Sequence, residues 1–191
     1  FVALSHPSEY PMAEGRIVSS GGLDLPVADF ESAFVEEQVA HSNALHARLR
    51  AGGHYSVGPL ARYNLNADKL GPRAREAARE AGLGPRCTNP FRSIVVRAVE
   101  LVFACEEALR IVGDYRGAES SYVAAVARES RGHACTEAPR GLLYHRYDLD
   151  SEGSIRDARI VPPTSQNLAT IEDDLRRFAQ AHLGLPHERL Q

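Results

Sequence analysis

The chain has 191 residues, 43% of them hydrophobic and 25% charged, which is enough apolar material for a buried core in a protein of one-domain size. A net charge of −3, with basic and acidic residues interspersed, argues against a nucleic-acid surface. Three cysteines in no paired spacing (Cys87, Cys105, Cys135) argue against a disulfide framework and for a reducing compartment.

Residues 1–28 are rich in Pro, Gly and Ser, and their short apolar alternations predict a small hairpin around Gly21-Gly22. Asp29 is a candidate N-cap for a helix carrying Phe30, Phe34, Val35, Val39, Leu45 and Leu49 on one side, stopped by Gly52-Gly53. Residues 54–68 show no helical period and contain a proline, so they read as an ordered loop. Pro72 opens a helix to about Ala81, with Gly82 as its left-handed stop.

Asn89-Pro90 then begins the clearest element. Phe91, Ile94, Val95, Ala98, Leu101, Val102, Cys105, Ala108, Leu109 and Val112 recur at steps of three and four, predicting a long central helix over about 90–112. A shorter helix is expected over 121–128, and paired strands over 142–149 and 154–161. A box-like cap of Thr170 with Asp173 would start a last helix, ending near Gly184. The sum is a mainly α chain with small β-hairpins, of α+β class, and residues 1–191 read as a single domain. No apolar run reaches the roughly 18–20 residues that span a bilayer. The first residue is Phe1, no secretory signal is visible, and the chain reads as a piece of a longer polypeptide.

Candidate chemistry lies in three proline-bearing polar segments: 57–64 (VGPLARYN), 136–141 (TEAPRG) and 161–167 (VPPTSQN). In the second, Pro139 restricts the backbone before Arg140, and Gly141 permits close approach by another group. Arg140 either pairs with Glu137 or another carboxylate to stabilise the turn, or holds a permanent five-donor cation in a fixed direction. The third segment either presents hydroxyl and amide donors to a fixed anionic group or simply caps the helix that follows. The histidines make no metal site by spacing: His41 and His46, five apart on the expected helix, would face different directions. His133 and Cys135 could chelate, but two ligands do not fix an ion. His145 reads as a hydrogen-bonded packing residue. CxxC, HExxH, phosphate-loop and nucleophile-elbow motifs are absent.

The strings TEAPRGLLYHRYDLD (136–150) and IVPPTSQN (160–167) closely resemble the C-terminal part of [NiFe] hydrogenase large subunits. HYSVGPLARYNLN, SHPSEYPMAEGRIVSSGGLD and CTNPFRSIVVRAVE are similar to the same family, so the resemblance runs through nearly the whole chain. The similarity is greatest to the cytoplasmic, NAD(P)-linked branch that includes the sulfhydrogenase alpha subunits. It implies an internal fragment that lacks both CxxC motifs, whose cysteines hold the nickel and iron. No cysteine here matches a metal ligand. Arg140 matches the arginine over the metal pair, with Pro139 shaping that canopy. Thr164, preceded by Pro163, matches the hydroxyl that donates to a cyanide. The backbone carbonyl of Ile160 matches a ligand of a nearby Mg ion.

The implied parent is a catalytic subunit for reversible dihydrogen oxidation. Its cofactors would be an Ni-Fe cluster with CO and cyanide ligands, and Mg. Electrons would pass to a small subunit with iron–sulfur clusters, then through flavin-bearing diaphorase subunits to NAD(P). The fragment itself should be inactive and bind none of these groups. Its unpaired helix faces should drive self-association, leave the 131–141 loop partly disordered, or both. Two other readings stay open: a non-catalytic relative such as the complex I quinone-site subunit, and a hydrogen-sensing regulatory homologue. Retention of Arg140 and Thr164 favours the hydrogenase over a metal-free scaffold.

Overall fold

The computed structural model describes residues 1–184. The N-terminal residues form a three-stranded antiparallel sheet of β1 (Val2–Ser5), β2 (Arg16–Ser19) and β3 (Asp24–Leu25). The hairpin expected around Gly21-Gly22 joins β2 to β3. Gly22 takes a positive φ of 90°, and the Ser19 hydroxyl accepts from the Gly21 and Leu23 amides at 3.1 and 3.0 Å.

The long helix expected after Asp29 does not form. A single turn, α1 (Phe30–Ala33), leads straight into a hairpin of β4 (Phe34–Gln38) and β5 (Leu45–Leu49). Phe34 pairs with Leu49 and Gln38 with Leu45 across it. The apolar spacings that suggested a helix, 30 to 34 and 45 to 49, are steps of four, which a period of 3.6 and a period of 2 both satisfy. Ser42 and Asn43 then supply a turn where the helix would have needed continuity.

The segment read as a loop over 54–68 contains a helix, α2 (Pro59–Asn66). Pro59 occupies its first position, and Leu60, Ala61, Arg62, Tyr63 and Asn66 are all buried. A short helix buried on most sides shows no clear one-sided period in sequence, which is why the segment reads as a loop. The helix expected from Pro72 is α3 (Pro72–Glu80), and Gly82 adopts a φ of +62° as anticipated. The central helix is α4 (Ser93–Asp114), preceded by a 3-10 turn over Pro90–Arg92. The Asn89 side chain caps that turn by accepting from the Phe91 amide at 2.9 Å.

No helix forms over 121–128. Tyr122, Val123 and Val126 are exposed there, with nothing for an apolar face to pack on. The region expected to be disordered over 131–141 is instead a strand, β6 (Ser130–Ala138), and a tight turn. It adds a third strand to the expected pair, β7 (Gly141–Leu149) and β8 (Ile155–Val161). Its inward-facing Glu137 broke the apolar alternation that marks a strand. The last helix, α5 (Pro163–His182), starts seven residues earlier than expected. The segment PPTSQN therefore forms its first turn, hidden because Ser165 and Gln166 are polar yet buried. Thr170 forms no cap: its hydroxyl donates to the Tyr55 carbonyl at 2.7 Å.

The core has two parts. One gathers Leu4, Ile17, Phe30, Phe34, Leu142 and Tyr144 around the sheets, with Phe30 and Tyr144 stacked at 4.2 Å. The other gathers Tyr10, Tyr63, Leu70, Val96, Val99 and Phe103 between α2, α3 and α4. A buried ion-pair network joins them.

Candidate functional site

Arg62 sits at the centre of that network, only 3% exposed. Its Nε and Nη2 donate to the two oxygens of Glu100 at 2.7 Å each. Its Nη1 donates to Glu137 at 2.9 Å and to the Ala138 carbonyl at 2.8 Å, and Nη2 also reaches the Pro139 carbonyl at 3.3 Å. Glu137 accepts in addition from the Leu4 amide at 2.7 Å, and Glu100 from the Tyr10 hydroxyl at 2.7 Å. Burial raises the Glu137 carboxyl above its ordinary range, even though Arg62 and the Leu4 amide pull it down. Burial acts to lower the Arg62 guanidinium, but Glu100 and Glu137 outweigh it and hold the cation firmly protonated. The Glu137 partner considered for Arg140 is thus taken by Arg62.

The network fixes the backbone before the turn, and two glycines fix the turn itself. Ala138 and Gly141 pair across the hairpin, so Pro139 and Arg140 are its two loop residues. Gly58 has a φ of +105°, and a Cβ there would lie 2.6 Å from the Arg140 carbonyl oxygen. Gly141 has a φ of +133°, and a Cβ there would meet Val57 at 2.5 Å. Only glycine permits this contact of two backbones on both sides.

The first turn of α5 closes the arrangement. Asn167 donates from Nδ2 to the Arg140 carbonyl at 3.2 Å and accepts from the Val57 amide at 2.8 Å. Gln166, fully buried, donates to the Leu142 carbonyl at 2.6 Å and accepts from the Tyr55 hydroxyl at 3.2 Å. The three polar segments of the sequence are therefore one hydrogen-bonded unit. Arg62, Gln166 and Asn167 do the positioning and were not singled out from sequence. The available signal was an arginine inside an apolar helical run, Pro-Leu-Ala-Arg-Tyr, with no acid close by in the chain.

Arg140 and Thr164 line the same cleft, of about 430 Å³, together with Val57, Pro59, Arg97 and Asp174. Among the described residues the Arg140 guanidinium has no ion-pair partner, whereas its backbone is held on both sides. Thr164 is the second residue of α5, and the side of that helix carrying Thr164, Asn167, Thr170 and Asp174 forms one wall of the cleft. The Arg140 cation with the Thr164 hydroxyl suits a bound group rich in acceptors.

Pro163 is buried at the first position of α5, and Pro139 is exposed in the turn. Ile160 lies in β8 opposite His145, and its side chain does not line the cleft. His145 accepts or donates at 3.0 Å with the Tyr147 hydroxyl, the packing role expected of it. A second cleft of about 480 Å³, between α2 and α3 around Asp68 and Arg75, is lined by Tyr63 and Asn64 of the first polar segment but by none of Pro139, Arg140, Pro163 and Thr164.

The cysteines stand apart from the site. Cys87 and Cys135 are buried, one in each part of the core, and Cys105 is exposed on α4. Burial, with the Glu137 charge behind it, pushes the Cys135 thiol up to about 12. A thiol held neutral in this way is a poor metal ligand.

No family model matches the chain. Sulfhydrogenase 1 subunit alpha from Pyrococcus furiosus is 29% identical over 177 residues, covering 92% of this chain and 41% of that subunit. The NAD-reducing hydrogenase HoxS subunit beta from Cupriavidus necator is 31% identical over 141 residues, covering 71% and 29%. Among solved structures, an NAD+-reducing [NiFe]-hydrogenase matches with a TM-score of 0.74 at 24% identity, covering 90% of this chain and 41% of that one. The Ni-Fe-Se hydrogenase of Desulfovibrio vulgaris Hildenborough matches with a TM-score of 0.55 at 20% identity, covering 87% and 43%. At these identities the structural matches establish the fold, an α+β segment of a hydrogenase chain. The curated relatives are longer, and the chain spans about two-fifths of the length of the first of them. The chain belongs to the [NiFe] hydrogenase large-subunit family and corresponds to part of its length.

Proposed function

We propose that this chain is part of the catalytic subunit of a nickel-iron hydrogenase that oxidises dihydrogen reversibly. In this reading it supplies the hydrogen-bonding canopy of the metal site, and residues 1–191 form one domain. The carrying observation is that Arg140 and Thr164, 24 positions apart in sequence, line one cleft while the guanidinium has no partner among the described residues. The donor set fits a nickel-iron group with cyanide and CO ligands, because buried cyanide nitrogens are acceptors that cost about 1–3 kcal/mol each if left unpaired. The chain provides the donors and no thiolate ligands.

When bound, that group supplies the redox chemistry of dihydrogen. The work of this chain is orientation. Arg140 presents a permanent, delocalised cation at one wall and acts as an electrostatic organiser rather than a proton acceptor. Thr164 donates its hydroxyl proton from a helix end anchored by Gln166 and Asn167. Pro139 and Pro163 fix the backbone immediately before each donor. The carbonyl of Ile160, four residues before Thr164, is assigned to a Mg ion whose remaining ligands lie elsewhere. The partners in this reading are a small subunit with iron–sulfur clusters and flavin-bearing diaphorase subunits that deliver electrons to NAD(P). The NAD-reducing relative supports that assignment, and a cytoplasmic location goes with it. No helix of the described residues is long and apolar enough to cross a membrane.

The test is Arg140→Lys in the full-length parent with its partner subunits. Loss of one aligned donor should cut dihydrogen oxidation by about 10²–10³, with nickel content and the infrared bands of CO and cyanide retained. Unchanged turnover would overturn the assigned role. Absence of CO and cyanide bands in the unmutated parent would overturn the hydrogenase reading in favour of a metal-free scaffold.

A further inference from the structure

The hairpin that replaces the expected helix changes the fate of two histidines. The turn between β4 and β5 folds back, and the rings of His41 and His46 meet at 5.7 Å, nearly perpendicular. Glu172, from the middle of α5, comes up beside both. Its Oε1 lies 2.9 Å from His41 Nε2 and 3.6 Å from His46 Nε2. One ligand atom from each of the three residues lies within 4.8 Å of the others.

His46 provides an independent observation. It is only 4% exposed, and its Nε2 is a buried polar atom with no hydrogen-bond partner among the described residues. An orphaned imidazole nitrogen in a core is costly, and this one faces a carboxylate slightly too far away to satisfy it. The neighbouring Asp173 does not compete, since it is engaged by Arg177 at 2.6 Å.

We propose that His41, His46 and Glu172 bind a borderline divalent cation of the zinc class, clipping the β4–β5 hairpin to α5. Two neutral imidazoles and one carboxylate form a nitrogen–oxygen donor set suited to such an ion, with the fourth position left to water. Metal–donor bonds of about 2.0–2.1 Å at tetrahedral angles separate the donors by about 3.3 Å. The present spacings bracket that value. Closing them requires movement chiefly of His41, which is exposed on a turn with little packing to resist it. None of the three residues lines the cleft of Arg140, so the clip is a second site. Its effect is to brace α5, the helix that carries Thr164.

The test uses the 191-residue chain, stripped with chelator and titrated with cobalt(II) by visible absorption and with zinc by calorimetry. One equivalent of cobalt with the intense bands of a tetrahedral nitrogen–oxygen site is expected, displaced by zinc. His41→Ala removes an exposed ligand without disturbing the core and should weaken binding at least about tenfold, as should Glu172→Gln. Zinc should raise the melting temperature of the unmutated chain and not of His41→Ala. Cys105→Ser should bind as the unmutated chain does. No binding, or the same spectrum and affinity in His41→Ala and Glu172→Gln, would overturn the proposal; so would loss of the site in Cys105→Ser.

Discussion

Replacing Arg62 with methionine probes the network that carries the candidate site. The side chain donates five hydrogen bonds, to Glu100 twice, to Glu137, and to the carbonyls of Ala138 and Pro139. Adding five charged hydrogen bonds at about 1.5–3 kcal/mol each would equal the whole stability of a typical domain. That sum ignores the cost of stripping water from three charged groups, which offsets most of it. The relevant magnitude is the penalty of leaving buried carboxylates without their cation, about 3–5 kcal/mol.

The deficit should also depend on pH, and its sign follows from Glu137. Burial already lifts this carboxyl above its unfolded value with Arg62 present, and losing the cation lifts it further. A folded pKa above the unfolded one favours the folded state at acid pH. The penalty grows as pH rises from about 4.3 through the folded value, then levels off. Urea denaturation of Arg62→Met should therefore show a smaller deficit at about pH 5 than at pH 8. A loss below about 1 kcal/mol, or one independent of pH, would refute the view that Arg62 compensates two buried charges.

Gly58→Ala should destabilise by about 1–3 kcal/mol, because a φ of +105° strains alanine and its Cβ would strike the Arg140 carbonyl. A lowered urea midpoint with unchanged slope reports this, and a stability within about 0.5 kcal/mol of the original would exclude it. The side of α4 that carries Ile94, Leu101, Leu109 and Val112 is exposed as expected from the sequence. The chain should self-associate through it, and Leu101→Gln with Leu109→Gln should shift sedimentation toward monomer. Identical sedimentation of the double variant would place the contact elsewhere.

The long elements with one clean period were legible in the sequence. α3 and α4 stand out because each buries one face, and β7 with β8 because an Asp-Ser-Glu-Gly turn separates two alternating runs. What escaped had a polar residue facing inward or a period shared by two structures. Glu137 disguised β6, Gln166 disguised the start of α5, and buried Arg62 disguised α2. The four-residue spacings of Phe30, Phe34, Leu45 and Leu49 fitted a helix and a hairpin alike. The same misreading separated His41 from His46, since a period of 3.6 sends them to different faces and a hairpin turn does not. Motif strings located Arg140 and Thr164, but the residues that aim them, Arg62, Gln166 and Asn167, carry their meaning only through contacts far along the chain.

The two ends of the molecule differ in what they require from outside. Every bond found to orient the Arg140 backbone comes from within the chain: Arg62 on the preceding carbonyls, Gly58 against its own carbonyl, and Asn167 closing the third side. The backbone that carries the Arg140 side chain is thus set before any acceptor arrives. Electrostatic stabilisation needs this order, because a donor that must reorganise on binding spends the interaction it provides. The exposed side of α4 is the opposite case, with apolar surface and no partner among the described residues. A truncation that keeps α2, α4, β6, β7 and the first turn of α5 intact should therefore leave Arg140 ordered, whatever covers the outer side of α4.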